Sequence, residues 1–396
     1  MSLNATPSGE RSHIAFFGLR NVGKSSLVNA ITNQNLAIVS DTPGTTTDPV
    51  QKAMEILPLG PVVIIDTPGL DDIGELGALR VAKAKTILRR TDLAILVTEL
   101  GCPLTSLETS LVNEFRQNNI PYKLVYSKCD LHPNVVPPTD GIIVSAHTGY
   151  NIDALKDLMA QALSTAESPK AIVADILPPN PQVILVIPID SSAPKGRLIL
   201  PQQQVLRELL EAKAISHVVQ PSELPRTLQL VTPDLVITDS QVFDDVNAKT
   251  PKSIPLTSFS ILMSRYKGYF EEALAGVAAL DTLPDSPNIL MAEGCTHHRQ
   301  CNDIGTVKIP RWLKESTGKH ITFTTSSGRD FPEDLSQFDL VVLCGGCMLS
   351  AREVQARAKL AITQQVPVTN YGLLIAKMRG ILDRSIEIFT HKTQDN

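Results

Sequence analysis

The sequence predicts an α/β protein in three modules, a P-loop nucleotide-binding domain followed by two smaller α/β domains. Three observations carry this. Short apolar runs at 14–17, 62–65, 289–292 and 339–343 each end at a glycine-rich or polar turn, as buried parallel strands do. Strand-like runs at 183–187 and 235–237 alternate with helical periodicity over 204–214 and 259–266. Two proline-rich stretches, 168–181 and 282–287, cut the chain. The expected domains are therefore 1–170, 171–283 and 284–396.

The first module carries its chemistry at predicted strand ends. Gly18-Leu19-Arg20-Asn21-Val22-Gly23-Lys24-Ser25 fits the phosphate-binding loop G-x-x-x-x-G-K-S/T, and Ser26-Leu27-Val28-Asn29-Ala30-Ile31 continues it as a helix. The glycines let backbone N–H groups turn toward a polyphosphate, where the helix N-terminus adds partial positive charge. Lys24 is placed for the outer phosphates and Ser25 for Mg²⁺, with Ser26 beside them. Asp66-Thr67-Pro68-Gly69 follows the run 62–65. An acid there can hold Mg²⁺ through water, and Gly69 lets an N–H swing toward a γ-phosphate. Between the two motifs, Asp41-Thr42-Pro43-Gly44-Thr45-Thr46-Thr47-Asp48 is a hydroxyl-rich loop from which a threonine can close on Mg²⁺. A strand at 123–126 then enters Ser127-Lys128-Cys129-Asp130, whose carboxylate can accept both N1–H and the 2-amino group of guanine. Ser145-Ala146-His147 is placed to touch the base from the other side. Five such features in order point to GTP.

At this point the chain resembles the translation-factor-like GTPases of the TrmE/Era type, within them the group with Asn in the phosphate loop and a Gly-Thr-Thr-x-Asp switch. The resemblance implies that Thr46 is the switch threonine on Mg²⁺ and that Asn21 ligates a stimulating K⁺. Ser127 departs from the family's Asn-Lys-x-Asp, and a hydroxyl makes fewer of the bonds that tie base to phosphate loop, so reduced guanine affinity is expected. No glutamine follows Gly69; Asp71, Asp72 and Glu75 are the candidates for orienting water.

Composition agrees with a soluble, intracellular, multidomain chain. It has 396 residues, 43% hydrophobic and 19% charged. A net charge of −5 and the lack of a long basic run argue against a nucleic-acid surface. No apolar run approaches the roughly 18 residues of a membrane span. The first residues lack the pattern of a signal peptide. Six cysteines are thin for a disulfide framework, and a cytoplasmic location is expected. The middle segment shows no catalytic constellation; Asp190, Lys195 and Asp234 read as surface or capping residues, and the segment reads as one for association.

The last module holds the second site. The run 289–292 leads into Glu293-Gly294-Cys295-Thr296-His297-His298, the run 339–343 into Cys344-Gly345-Gly346-Cys347, and the short run 366–368 into Thr369-Asn370-Tyr371-Gly372. Helical patterns follow the latter two, over 351–362 and 373–382. In an open parallel sheet ligands gather at the carboxyl ends of the strands, so Cys295 can meet Cys344 and Cys347 there. Such cysteines can form a redox pair, hold zinc with a histidine, or anchor three irons of a [4Fe–4S] cube. The Gly345-Gly346 spacer fits the cube, because its N–H groups can reach cluster sulfides unhindered. Cys102 and Cys129 read as ordinary buried cysteines.

A GTPase followed by Cys-x-His and then, near the C-terminus, Cys-x-x-Cys resembles the [FeFe]-hydrogenase maturation GTPases over the whole chain. The resemblance implies a GTPase, a dimerisation domain and a cluster-binding domain with a [4Fe–4S] cluster on Cys295, Cys344 and Cys347. It further implies a transient di-iron subcluster handed to apo-[FeFe]-hydrogenase, radical-SAM maturases as partners, and a homodimer. Leu343 stands where the family often has His, which leaves the fourth iron ligand open. His297 fits the Cys-x-His position, with His298, Cys301 and Glu387 as alternatives. The competing reading is a regulatory GTPase of the ribosome- or tRNA-associated kind with a structural zinc site.

Overall fold

Ile14 and Phe16 face one side of a sheet, and Ala15 and Phe17 the other, all fully buried. Burial on both faces is what a parallel sheet sandwiched between helices requires. The computed structural model describes residues 6–34, 50–69, 84, 86–166, 171–189, 198–294, 303–328 and 330–390. The chain divides into two compact units, 1–169 and 170–396.

In the first unit β1 (Ser12–Phe17), β2 (Val50–Ile56), β3 (Gly60–Asp66), β4 (Leu93–Glu99), β5 (Tyr122–Ser127) and β6 (Gly141–Ile143) run in the order β2-β3-β1-β4-β5-β6. Among these strands β2 alone is antiparallel, joined to β3. The helices Lys24–Thr32 and Ile152–Ala166 bury their apolar stripes on the Ile14 face, and Ser106–Gln117 covers the other. The helix Ser106–Gln117 starts where Thr105 and Glu108 cap each other reciprocally, at 3.3 and 2.9 Å.

The second unit holds two parallel sheets. One consists of β7 (Gln182–Val186), β8 (Ile215–Val219), β9 (Leu235–Thr238) and β10 (Leu256–Ser258), ordered β10-β9-β7-β8. The other consists of β11 (Asn288–Glu293), β12 (Thr322–Ser327), β13 (Leu340–Leu343) and β14 (Val368–Asn370), ordered β12-β11-β13-β14. One hydrophobic cluster runs through both, from Ile184, Val186 and Val236 to Ile289, Met291 and Val341, and takes in Leu280 and Leu283 at the expected domain boundary. The two smaller α/β parts thus share a core.

Several elements differ from the sequence reading. The helix expected over 204–214 is Leu200–Glu211, because Pro201 sits in the first turn, where no N–H is needed. The helix expected over 373–382 is split into Tyr371–Met378 and Leu382–Thr390 around Gly380 at φ 66°. The last strand begins at Val368, after Pro367, rather than at 366. Asp234 accepts from the Gln182 amide at 2.8 Å, a capping role as expected. Among the described residues no helix is long and apolar enough to cross a membrane.

Candidate functional site

Pairing of β1 with β3 sets Phe16 opposite Asp66 and so brings the phosphate loop and the Asp66 turn to one sheet edge. The Thr67 hydroxyl donates to the Phe16 carbonyl at 2.6 Å. Gly18, at φ 144°, admits no side chain: a Cβ there would lie 2.2 Å from the Val97 carbonyl oxygen. Gly69 is equally confined, since its Cβ would come within 2.9 Å of the Arg20 backbone, so the Asp66–Gly69 turn runs against the phosphate loop. Asn21 and Gly23 are both left-handed, at φ 60° and 92°, which gives the loop its curl.

Lys24 is buried and donates to the loop carbonyls of Gly18 at 3.0 Å and Leu19 at 2.5 Å. Ser25, in the first turn of the helix, donates to Asp66 Oδ2 at 2.6 Å. Asp66 Oδ1 is buried and makes no hydrogen bond. Burial raises the Asp66 pKa, opposed by the Ser25 hydroxyl and the Lys24 charge. A buried carboxylate with an unsatisfied oxygen beside a serine hydroxyl is a hard-oxygen donor set that fits Mg²⁺.

The base side forms from β5, β6 and the turns after them. The Ser127 hydroxyl donates toward the Val22 carbonyl at 2.5 Å and the Thr98 carbonyl at 3.0 Å. Lys128, left-handed at φ 58°, puts its ammonium 2.7 Å from Glu99, which also meets His132 Nε2 at 3.1 Å. The Lys128 bond chiefly holds the Glu99 carboxyl below its usual range. Asp130 is exposed, and the Ser145 hydroxyl chiefly lowers its pKa, so it stays an acceptor. Ser145 is fully buried and accepts from the Thr148 amide at 3.1 Å. Ser26 and Ala146 line one cleft of about 530 Å³ together with Asn29, Asn33 and His147. The structure thus gathers Gly18, Asn21, Val22, Gly23, Lys24, Ser25, Ser26, Asp66, Gly69, Lys128, Asp130, Ser145 and Ala146 in the first unit. Thr46, Asp71, Asp72 and Glu75 lie outside the described residues.

The second site stands at the carboxyl edge of the last sheet. Register sets Ala292 beside Leu343 and Leu343 beside Asn370, so the three expected strand ends do align. The Gly294 amide donates to Cys344 Sγ at 2.9 Å, and the Gly346 amide approaches the same sulfur at 3.4 Å. Gly346 is left-handed at φ 61°, which folds the Cys344–Cys347 loop back on its first sulfur. Burial of the sulfur raises the Cys344 pKa, and the two amides oppose it. Cys347 is pushed up to about 11, first by burial and then by the Cys344 charge, with Lys267 opposing.

Sequence reasoning missed two residues beneath this loop. Lys267, buried, donates to the Leu349 carbonyl at 2.8 Å, and Tyr269 donates to the Cys344 carbonyl at 3.4 Å. Both lie in ordinary helix-end contexts, which give no signal in sequence, whereas Tyr371, from the third expected strand end, donates to Glu293 Oε1 at 3.4 Å. Cys295, His297, His298, Cys301, Asp190 and Lys195 lie outside the described residues. Glu387 is exposed beside Arg384 on the last helix. Among the described residues no group of three or more His, Cys, Asp or Glu could hold a metal ion. The described donors are nonetheless of the right kind, two thiols and backbone N–H groups aimed at sulfur.

Residues 271–388 match the family described as the hydrogen maturase F tetramerization domain, and 172–268 the hydrogen maturase F dimerization domain, together more than half of the chain. The chain belongs to the hydrogen maturase F family. Residues 13–128 match the family described as 50S ribosome-binding GTPase. In this hydrogen maturase F chain, therefore, the phosphate loop belongs to a GTPase domain, and GTP with Mg²⁺ are its ligands. Among curated relatives, the tRNA modification GTPase MnmE of Chloroflexus aurantiacus is 33% identical over 183 residues, 43% of this chain and 39% of that protein. The same protein from Streptococcus sanguinis is 34% identical over 153 residues, 37% of this chain and 32% of that one. The chain thus spans no more than 39% of the length of these two relatives. Among solved structures, Aquifex aeolicus Era is 19% identical with a TM-score of 0.34, covering 52% of this chain and 93% of that one. The G domain of the T. maritima FeoB transporter is 22% identical with a TM-score of 0.30, covering 39% and 99%.

Proposed function

We infer that this hydrogen maturase F chain hydrolyses GTP and carries a [4Fe–4S] cluster on Cys295, Cys344 and Cys347. On that cluster it holds a di-iron precursor, which it hands to apo-[FeFe]-hydrogenase, with radical-SAM maturases as further partners. The observation that carries the reading is the Gly294 amide on Cys344 Sγ: the residue before Cys295 already touches the sulfur of the Cys-x-x-Cys loop. The cluster, when bound, supplies an iron open to a further ligand. Cys295, Cys344 and Cys347 would anchor the other irons as thiolates, with the Gly294 and Gly346 amides donating to Cys344 Sγ. His297 is the first choice for the open position.

In the first unit Lys24 can exchange the Gly18 and Leu19 carbonyls for outer phosphate oxygens, and Ser25 can turn from Asp66 to Mg²⁺. Thr46 closes from the switch side, and Asn21 holds K⁺ against the phosphates. Association through 172–268 is supported by β8, the edge strand of its sheet, where Ile215 and Val218 are exposed. Size-exclusion chromatography with light scattering reads that association.

Anaerobic purification tests the carrier reading. A brown protein with iron and sulfide is expected. A colourless protein with stoichiometric zinc would instead select the regulatory GTPase with a structural metal.

A further inference from the structure

We propose that Lys267 is a positioning residue for the Cys344–Cys347 loop and the fixed positive charge that sets the reduction potential of the cluster held there. The proposal rests on the cluster reading above. It starts from an unusual burial: the Lys267 side chain is enclosed, with 1% of the residue exposed, whereas lysines almost always keep their ammonium in water. Burial of an ammonium costs free energy unless it is hydrogen-bonded or paired where it ends.

The destination is the cysteine loop. Lys267 caps the C-terminal end of the helix Phe259–Tyr266, where the helix dipole favours a cation. Its ammonium donates at 2.8 Å to the carbonyl of Leu349, whose amide closes the turn opened by Gly346. Gln355, from the helix after the loop, donates back to the Lys267 carbonyl at 2.8 Å, so the lysine is fastened at both ends. Met263, one turn earlier on the same helix, lies 3.9 Å from the position a Gly345 Cβ would take. The loop therefore rests on this helix end. The Lys267 charge also acts on Cys347, at the end of the Cys-x-x-Cys loop.

Two other charged groups act on Cys344: Arg357, held by Glu353 at 2.8 Å and the Gly328 carbonyl at 2.7 Å, is a second cation, and Glu293 is an opposing anion. Lys267 comes from the dimerization segment, 172–268, while both cysteines lie in the segment 271–388. The lysine thus makes cluster properties depend on the junction between the two segments. A cluster gains negative charge on reduction, so a nearby buried cation stabilises the reduced form, and removing it lowers the midpoint.

The test uses full-length protein reconstituted anaerobically with ferrous iron and sulfide, scored by iron content and by an EPR-monitored redox titration. Lys267→Gln keeps an N–H for the Leu349 carbonyl but removes the charge; Lys267→Met removes both. Both midpoints are expected to move negative, by about tenfold in the oxidised-to-reduced ratio at fixed potential, or about 59 mV for one electron. Lys267→Met is also expected to lose iron that Lys267→Gln retains. Should Lys267→Met fail to fold by circular dichroism, the Lys267→Gln midpoint decides alone. An unchanged Lys267→Gln midpoint overturns the charge assignment, and full iron in a folded Lys267→Met overturns the positioning role. Wild-type protein that takes up no cluster would fail the carrier reading itself, a separate result.

Discussion

The Ser127 hydroxyl lies 2.5 Å from the Val22 carbonyl oxygen, so the strand that leads to the base motif is tied directly to the phosphate loop. The sequence departs from Asn at this position, where fewer such bonds and a reduced guanine affinity are expected. The serine makes it with its single proton because β5 brings it, buried, close under the loop: Gly23 leaves its Oγ 3.9 Å from where a Cβ would stand. Ser127→Ala is expected to weaken GTP binding by about three- to tenfold, the worth of one buried hydrogen bond. Fluorescent-nucleotide titration reads this, and wild-type affinity in the mutant would deny the tie any role.

Lys24→Ala and Ser25→Ala should each cut GTP hydrolysis by about a hundredfold or more, since each removes a group aimed at developing phosphate charge. Iron content should stay at the wild-type level, because the cysteines belong to the other unit. Phosphate release and iron assays on the same preparations check both halves.

Asn21 stands left-handed within the phosphate loop. If it ligates K⁺ there, turnover should rise when Na⁺ is replaced by K⁺ at matched ionic strength, because the larger ion spans phosphate oxygens and loop carbonyls. Asn21→Ala should lose that preference. Equal rates in the two salts would count against the assignment.

Serine at Cys295, Cys344 or Cys347 should each cost most of the cluster, since a hard alkoxide replaces a soft thiolate. His297→Ala should keep the cube with an altered spectrum, because water or a carboxylate can take the place. Equal iron loss in all of these variants would make His297 a full structural ligand. A cube that survives Cys295→Ser but not Cys301→Ser would move the third anchor to Cys301.

In the metal-free protein Cys347 should resist alkylation. Its thiol titrates at about 11 against an ordinary 9.0, so the folded state keeps the proton in the window between. The associated stability is complete below pH 9 and is lost as the pH rises toward 11. At pH 8 its thiolate fraction is about a hundredfold below that of an ordinary thiol, so Cys102, which is exposed rather than buried as its sequence context suggests, should label first. Mass-mapped labelling between pH 8 and 11 checks the order.

By itself the sequence determined what is local. The phosphate loop, Asp66, Asp130 and the Cys-x-x-Cys turn are legible because each needs particular residue types at fixed spacing next to an apolar run. The helix Phe259–Tyr266 matches its expected bounds for the same reason, as its period is local. The tertiary structure alone decided which distant groups meet. No spacing announces that Ser127 reaches Val22, that Gly69 presses on Arg20, or that Lys267 ends under Leu349. Nor does periodicity show that two sheets share one core, since a strand buried on both faces reads alike whatever covers it. Those pairings follow from strand order and register, which depend on how the whole chain packs its apolar surface rather than on any one segment.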